Sequence, residues 1–149
     1  MIGVLMEHDK KFLIIGPQMA TTYTDTFELL KSRKADYGQN FVKCFTRPDG
    51  SEVKFGNICW YTNLKIQHRT PIPLTKTYDA STYPKYDTTD AIEVSKVANI
   101  PMDYYGVMGV PITYMYKHSD EQFKVYSFAQ GLTINGKKLF GRILIQRKV

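Results

Sequence analysis

An α/β fold is predicted by three observations. Phe12-Leu13-Ile14-Ile15-Gly16 is a short, unalternating apolar run, the pattern of a strand buried on both faces of a parallel sheet. A helical stretch, Thr24-Asp25-Thr26-Phe27-Glu28-Leu29-Leu30-Lys31, follows it after a short loop. Downstream, aromatic and β-branched runs alternate with Pro-Asp-Gly and Asn-Gly turn chemistry, which predicts hairpins.

Taken in order, Ile2 to Met6 with Glu7 reads as the last turns of a helix. An initiator Met directly against an apolar stretch leaves no capping residue, so the N-terminus reads as cut. In the next helix the Asp25 to Glu28 spacing resembles a capping box, and Lys31, Arg33 and Lys34 close it with the charge that a helix C-terminus favours. Phe41 to Thr46 and Glu52 to Phe55 flank Arg47-Pro48-Asp49-Gly50-Ser51 and predict a hairpin. Ile58 to Thr62 is a further strand, expected to pair with that hairpin. Residues 65 to 90, with Pro71, Pro73 and Pro84, predict an extended surface connection. Ala91 to Val94 is a short strand, Ser119 to Gln122 a turn, and Phe123 to Phe128 an alternating strand. Leu132 to Ile134 and Leu139 to Ile145 flank Asn135-Gly136 as a second hairpin.

At 149 residues with 43% hydrophobic content, the chain is long enough for one packed domain and too apolar for disorder. The apolar opening is halted by Glu7, His8, Asp9, Lys10 and Lys11, so neither a membrane span nor a signal peptide is expected and a cytoplasmic location is. Two cysteines and histidines at 8, 68 and 118 supply no disulfide framework and no zinc spacing. The net charge of +6 is uneven. Residues 1 to 77 carry 11 Lys+Arg against 7 Asp+Glu, residues 78 to 136 carry 4 against 7, and residues 137 to 149 carry 5 against none. Such a field favours a polyanion, and nucleic acid is the common one.

Gly106-Val107-Met108-Gly109 lacks the third Gly or the Lys-Ser/Thr that a phosphate cradle requires, and there is no nucleophile elbow. Trp60, Tyr61 and Asn63 could stack on and hydrogen-bond a base, although the same pattern is what a core tryptophan gives. Lys65, His68 and Arg69 lie just beyond, where phosphate contacts are easy or where a loop is simply solvated. Arg47, Lys54, Lys137 and Lys138 mark the two hairpins, placed either to enter a groove or to keep the surface soluble. The tyrosines crowding the central segment read as packing residues.

Three stretches, Asp9 to Gly16, Ile58-Cys59-Trp60-Tyr61-Thr62-Asn63-Leu64, and Ile100-Pro101-Met102-Asp103-Tyr104-Tyr105-Gly106-Val107-Met108-Gly109-Val110-Pro111-Ile112-Thr113, together resemble the C-terminal half of the EcoRI-like adenine-specific DNA methyltransferases. The likeness continues through Asp120-Glu121-Gln122-Phe123 and into the Asn135-Gly136-Lys137 hairpin. Lys117-His118-Ser119-Asp120 departs from the family's usual run. The resemblance implies methyl transfer from S-adenosylmethionine to adenine in DNA, in a restriction-modification setting. It also implies a partial Rossmann-like methyltransferase sheet with an appended β-rich target-reading lobe, divided as residues 1 to 64 and 65 to 149 and packed as one unit. The family's Asn/Asp-Pro-Pro-Phe/Tyr motif has no counterpart, since none of the seven prolines adjoins another, and no cofactor loop is present. The resemblance therefore carries over no catalytic and no cofactor-binding residue, and the chain alone is expected to be inactive. It reads as a truncated or split enzyme with DNA as partner and a separate N-terminal half, and a third reading is an assembly protein that self-associates through Ile2, Val4, Leu5 and Met6. The alternative is a non-catalytic DNA- or protein-binding module derived from the same fold.

Overall fold

A computed structural model describes all residues, 1–149, and they fall into two units, Met1–Gln67 and His68–Val149. In the first, helix α1 (Ile2–Glu7) has no side-chain cap and no buried residue. Strand β1 (Leu13–Pro17) leads through a 3-10 turn (Gln18–Thr22) to helix α2 (Thr24–Lys31). Strand β2 (Asp36–Tyr37) follows, then the short strands β3 (Cys44–Thr46) and β4 (Glu52–Lys54), and finally β5 (Ile58–Thr62).

The three-stranded sheet has the order β1-β5-β2, and β5 is antiparallel to both neighbours. Hence β1 and β2 run the same way, and the helix in their connection makes a crossover of the kind parallel strands require. The register Ile14↔Tyr61 and Gly16↔Cys59 puts the buried Tyr61 and Cys59 on one face, and the same unit buries Phe27 and Leu30 of α2. Burying Phe27 or Leu30 contributes about 1.5 to 3 kcal/mol each. The opposite face carries Leu13, Ile15 and Trp60.

Three sequence expectations are corrected here. Strand β1 is not covered on both faces in a parallel sheet. It is an antiparallel edge strand with Leu13 54% and Ile15 37% exposed, because an apolar run does not reveal whether a second layer covers it. Strand β5 does not pair with the β3–β4 hairpin. It fills the centre of the sheet, the position in which Cys59 and Tyr61 can be buried. The capping box is also absent: the N-cap of α2 is Tyr23, with no side-chain cap, and Asp25 contributes only favourable charge in the first turn. The helix ends at Ser32, and Arg33 takes the left-handed conformation (φ 59°), where its guanidinium meets the buried Asp36 at 3.3 Å and donates to the Gln67 carbonyl.

The second unit begins with an extended segment of little regular structure, as expected. Gln122 pins it by accepting from the Ile72 N–H and donating to its carbonyl, both at 2.7 Å, and Asp103 accepts from the Tyr78 N–H at 2.6 Å. Strands β6 (Ile92–Glu93), β7 (Val107–Val110), β8 (Phe123–Ala129), β9 (Thr133–Ile134), β10 (Lys137–Lys138) and β11 (Arg142–Arg147) follow. Four of them form a sheet of order β6-β7-β11-β8, in which only β6–β7 is parallel. One face buries Met108, Val110, Val125, Ile143 and Ile145. The other carries a smaller cluster of Tyr86, Ala91 and Leu132, flanked by Val107, Ala129, Ile134, Leu139 and Leu144.

The β9–β10 hairpin forms at Asn135-Gly136, both in the left-handed region, but its second strand stops at Lys138. The expected continuation from Leu139 to Ile145 instead separates into β11, which pairs with β7 and β8. Ile143 and Ile145 are fully buried there, which a two-stranded hairpin cannot provide. No helix is long and apolar enough to cross a membrane.

Candidate nucleic-acid interface

The β3–β4 hairpin carries Arg47 at its turn and Lys54 on its second strand, opposite Cys44, and every residue from 43 to 52 is exposed. Gly50 (φ 84°) closes its turn, where Arg47 N–H donates to the Ser51 carbonyl at 2.8 Å. Asp49 accepts from the Ser51 hydroxyl and N–H, which holds its carboxyl below the usual range. Phe45 pairs with Val53, so alternation places Lys43, Phe45, Val53 and Phe55 on one face, with no acidic residue among them. The rings of Phe45 and Phe55 meet edge to face, centroids 5.4 Å apart. Glu52 and Lys54 share the opposite face. A ribbon with an aromatic and cationic face has the means to stack on bases and meet phosphates. Lys43, Phe45 and Phe55 were not singled out from sequence, although alternation outward from Pro-Asp-Gly would have found them.

The group Trp60, Tyr61 and Asn63 does not form a stacking platform. Tyr61 is 1% exposed, and its hydroxyl donates to the Pro17 carbonyl at 2.8 Å and meets Thr21 Oγ1 at 3.3 Å. Burial foremost raises its pKa. Trp60 is half-buried, its Cβ so close to Gly38 that a Cβ added there would lie 2.6 Å away. Asn63 is structural: Oδ1 accepts from the Phe12 N–H at 2.9 Å, while Nδ2 donates to the Lys10 carbonyl at 3.0 Å and reaches Met6 Sδ at 3.4 Å. Asn63→Leu is expected to cost about 1 to 3 kcal/mol by leaving those partners unmade, measured as a lower urea midpoint.

Lys65 and His68 are exposed, and Arg69 is half-buried with Nη1 donating to the Met115 carbonyl at 2.7 Å. Lys137 and Lys138 are exposed on β10. Their hairpin is clamped by Asp87, whose carboxylate accepts from Thr133 Oγ1 at 2.7 Å and from the Asn135 and Gly136 N–H groups at 2.9 Å each. The Gly136 N–H foremost, then Thr133 and Asn135, lower the Asp87 pKa below its ordinary 3.8. A depressed folded-state value means the clamp is fully present above pH 3.8 and is lost as the pH falls through the lower folded value. The Asn135 and Gly136 amide resonances are therefore expected to titrate together with a midpoint below 3.8. A midpoint at or above that value contradicts the clamp.

Gly106 and Gly109 offer no cradle for a nucleotide or for S-adenosylmethionine. Gly109 lies within β7, and the Tyr86 hydroxyl occupies the space a Cβ would take; the Tyr104 hydroxyl covers Gly106 in the same way. No cluster of three or more His, Cys, Asp or Glu side chains is placed to hold a metal ion.

A family model described as adenine-specific methyltransferase EcoRI matches residues 1–148. The Type II methyltransferase M.EcoRI of Escherichia coli is 41% identical, over 97% of this chain and 52% of that protein. The Type II methyltransferase M.MpnI of Mycoplasma pneumoniae is 35% identical, over 83% of this chain and 46% of its own length. The Type II methyltransferase M.MgeORF184P of Mycoplasma genitalium is 28% identical, over 99% and 60%. The chain thus spans about half the length of the curated relatives it matches. No solved structure matches it.

Proposed function

The chain belongs to the adenine-specific methyltransferase EcoRI family, and from that premise we propose that it contacts DNA and supplies part of the methyltransferase scaffold without transferring a methyl group by itself. The observation that carries the DNA-contacting role is the exposed β3–β4 ribbon, with Lys43, Phe45 and Phe55 on a face free of carboxylates. Basic side chains at Arg47, Lys54, Lys65, His68, Lys137 and Lys138 are exposed and add to the positive field. Arg69 is the exception, being engaged with a backbone carbonyl.

The scaffold role rests on the β1–α2–β2 crossover, which fits one piece of a Rossmann-like sheet. Strand β1 has a free edge, and its outward Leu13 and Ile15 are exposed. An apolar strand edge of this kind is a template for pairing, so the partner we assign to it is a polypeptide carrying the remaining methyltransferase half. S-adenosylmethionine is the methyl donor the family implies, and no residue of this chain is assigned to it.

Methyl transfer requires donor and extrahelical base to be held together, and nothing resembling the paired-proline motif that grips the base occurs here. The purified chain, incubated with labelled S-adenosylmethionine and mixed-sequence DNA, is expected to give no incorporation. Turnover above background overturns the catalytic part of the reading. Failure to bind DNA at low salt overturns the DNA-contacting part.

A further inference from the structure

Asn135 is the only asparagine of this chain that a glycine follows. The pair closes the β9–β10 turn. It is also the pair in which a backbone nitrogen best reaches a side-chain amide, because Gly136 has no Cβ to obstruct the approach. Asn135 is exposed, no hydrogen bond holds its carboxamide, and a Cβ added at Gly136 would meet nothing within 4 Å. Water therefore reaches both reacting groups.

Backbone geometry restrains the pair. Asn135 (φ 50°) and Gly136 (φ 76°) are both left-handed. In that conformation the Gly136 nitrogen lies nearly anti to the Asn135 Cβ across the Cα–C bond. Closing a five-membered ring onto Cγ needs the nitrogen eclipsed with Cβ, roughly half a turn away. Such a rotation swings the Gly136 N–H out of its 2.9 Å bond to Asp87 Oδ2. The same carboxylate accepts from the Asn135 N–H at 2.9 Å and from Thr133 Oγ1 at 2.7 Å, while the Asp87 N–H donates to the Thr133 carbonyl at 2.9 Å. Tyr86 and Leu132, the residues just before Asp87 and Thr133, belong to one buried cluster, so the clamp is anchored on both sides. Clamp and ring closure exclude each other.

We propose that Asn135-Gly136 is a modification site at which deamidation is gated by Asp87. When the clamp opens, solvent hydroxide takes the Gly136 N–H proton and the nitrogen's electron pair forms a bond to Asn135 Cγ. The Cγ–Nδ2 bond breaks as water returns a proton to the departing ammonia. A second water opens the resulting succinimide at either carbonyl, leaving aspartate or isoaspartate at position 135. Aspartate sets a second carboxylate beside that of Asp87. Isoaspartate adds a methylene to the turn backbone, which the Lys137↔Ile134 register cannot absorb. Either product lays a negative charge next to Lys137 and Lys138 and lowers the positive field of that hairpin. The turn, once converted, does not close in its original form. None of this depends on the DNA-contacting reading.

The experiment incubates the full chain at mildly alkaline pH and follows it by peptide mass mapping, beside a synthetic peptide of residues 130–141, which lacks Asp87. The readout is the mass gained when the amide NH2 becomes OH, with aspartyl and isoaspartyl peptides separated by chromatography. Isomerisation at Asp49-Gly50 leaves the mass unchanged, so the gain reports asparagines alone. The peptide and Asp87→Ala are each expected to convert at Asn135 about tenfold or more faster than the wild type, since a charge-assisted bond holds a turn closed by about that factor. Thr133→Val, which removes one bond of the clamp and keeps the side-chain shape, is expected to fall between wild type and Asp87→Ala. Comparing wild type with peptide does not depend on how any variant folds. A wild-type rate equal to that of the peptide, rates unchanged in both variants, or conversion of another asparagine ahead of Asn135 overturns the proposal.

Discussion

Arg142→Met is expected to destabilise the His68–Val149 unit by about 3 to 5 kcal/mol, the usual consequence of removing one partner from a buried ion pair. The side chains of Arg142 and Glu93 are 12% and 9% exposed. Arg142 Nη2 and Nε reach Glu93 Oε1 at 2.7 and 3.0 Å, and Nε also reaches Oε2 at 3.1 Å. The Tyr86 hydroxyl donates to Oε2, and burial first, then that bond to Glu93, raises its pKa. Without the guanidinium, Glu93 keeps one tyrosine as its described side-chain partner in a site that water scarcely enters. The double variant Glu93→Gln with Arg142→Met is expected to recover part of the loss, because no uncompensated charge then remains. Urea unfolding of the wild type and the two variants decides this, and an unchanged midpoint in Arg142→Met shows the pair to be dispensable. The same substitution is expected to loosen the smaller cluster of Tyr86, Ala91 and Leu132, since Glu93 pairs with Gly109 and Tyr86 lies over that glycine.

Local chemistry was legible in the sequence where one short segment decides the outcome. Pro48-Asp49-Gly50 and Asn135-Gly136 fix their turns through the residues they contain, and both hairpins form where those turns place them. Helix α2 and the turn before β8 were equally local. Pairing between distant strands was not legible. Nothing within Ile58 to Thr62 says that β1 and β2 flank it, and nothing within Leu139 to Ile145 says that the chain leaves the hairpin to enter a sheet. The candidate site divides along the same line. Exposure of Arg47, Lys54, Lys137 and Lys138 follows from their turns. The fates of Tyr61, Asn63 and Arg69 depend on partners such as Thr21, Phe12 and Met115, far away in the chain. Glu93 and Arg142 are separated by 49 residues, and neither carries a local signal that it will be buried. The irregularity in β8, where Leu144 pairs with Ser127 and Ile145 with Val125 so that Tyr126 is extra, gave no signal either, because a bulge is a mismatch between two strands and belongs to neither sequence alone.

Arg47→Ala combined with Lys54→Ala is expected to weaken duplex DNA binding roughly 60-fold at 0.1 M salt if each side chain neutralises one phosphate. About 0.9 counterion is released per phosphate, so each contact is worth about 0.9 decade at that concentration relative to 1 M salt. The slope of log affinity against log salt is expected to become shallower by about 1.8 for the same reason. Stability should hardly change, since both residues are exposed and no ion pair is described for either. Phe45→Ala should behave differently. It removes an aromatic surface and half of the Phe45–Phe55 contact without removing charge, so the salt slope is expected to stay as it is while the affinity falls. The two variants separate the electrostatic contribution of the ribbon from its stacking contribution. An unchanged slope in the Arg47 and Lys54 double variant means that the ribbon does not touch phosphate, and the positive field of this chain must then meet DNA through other lysines.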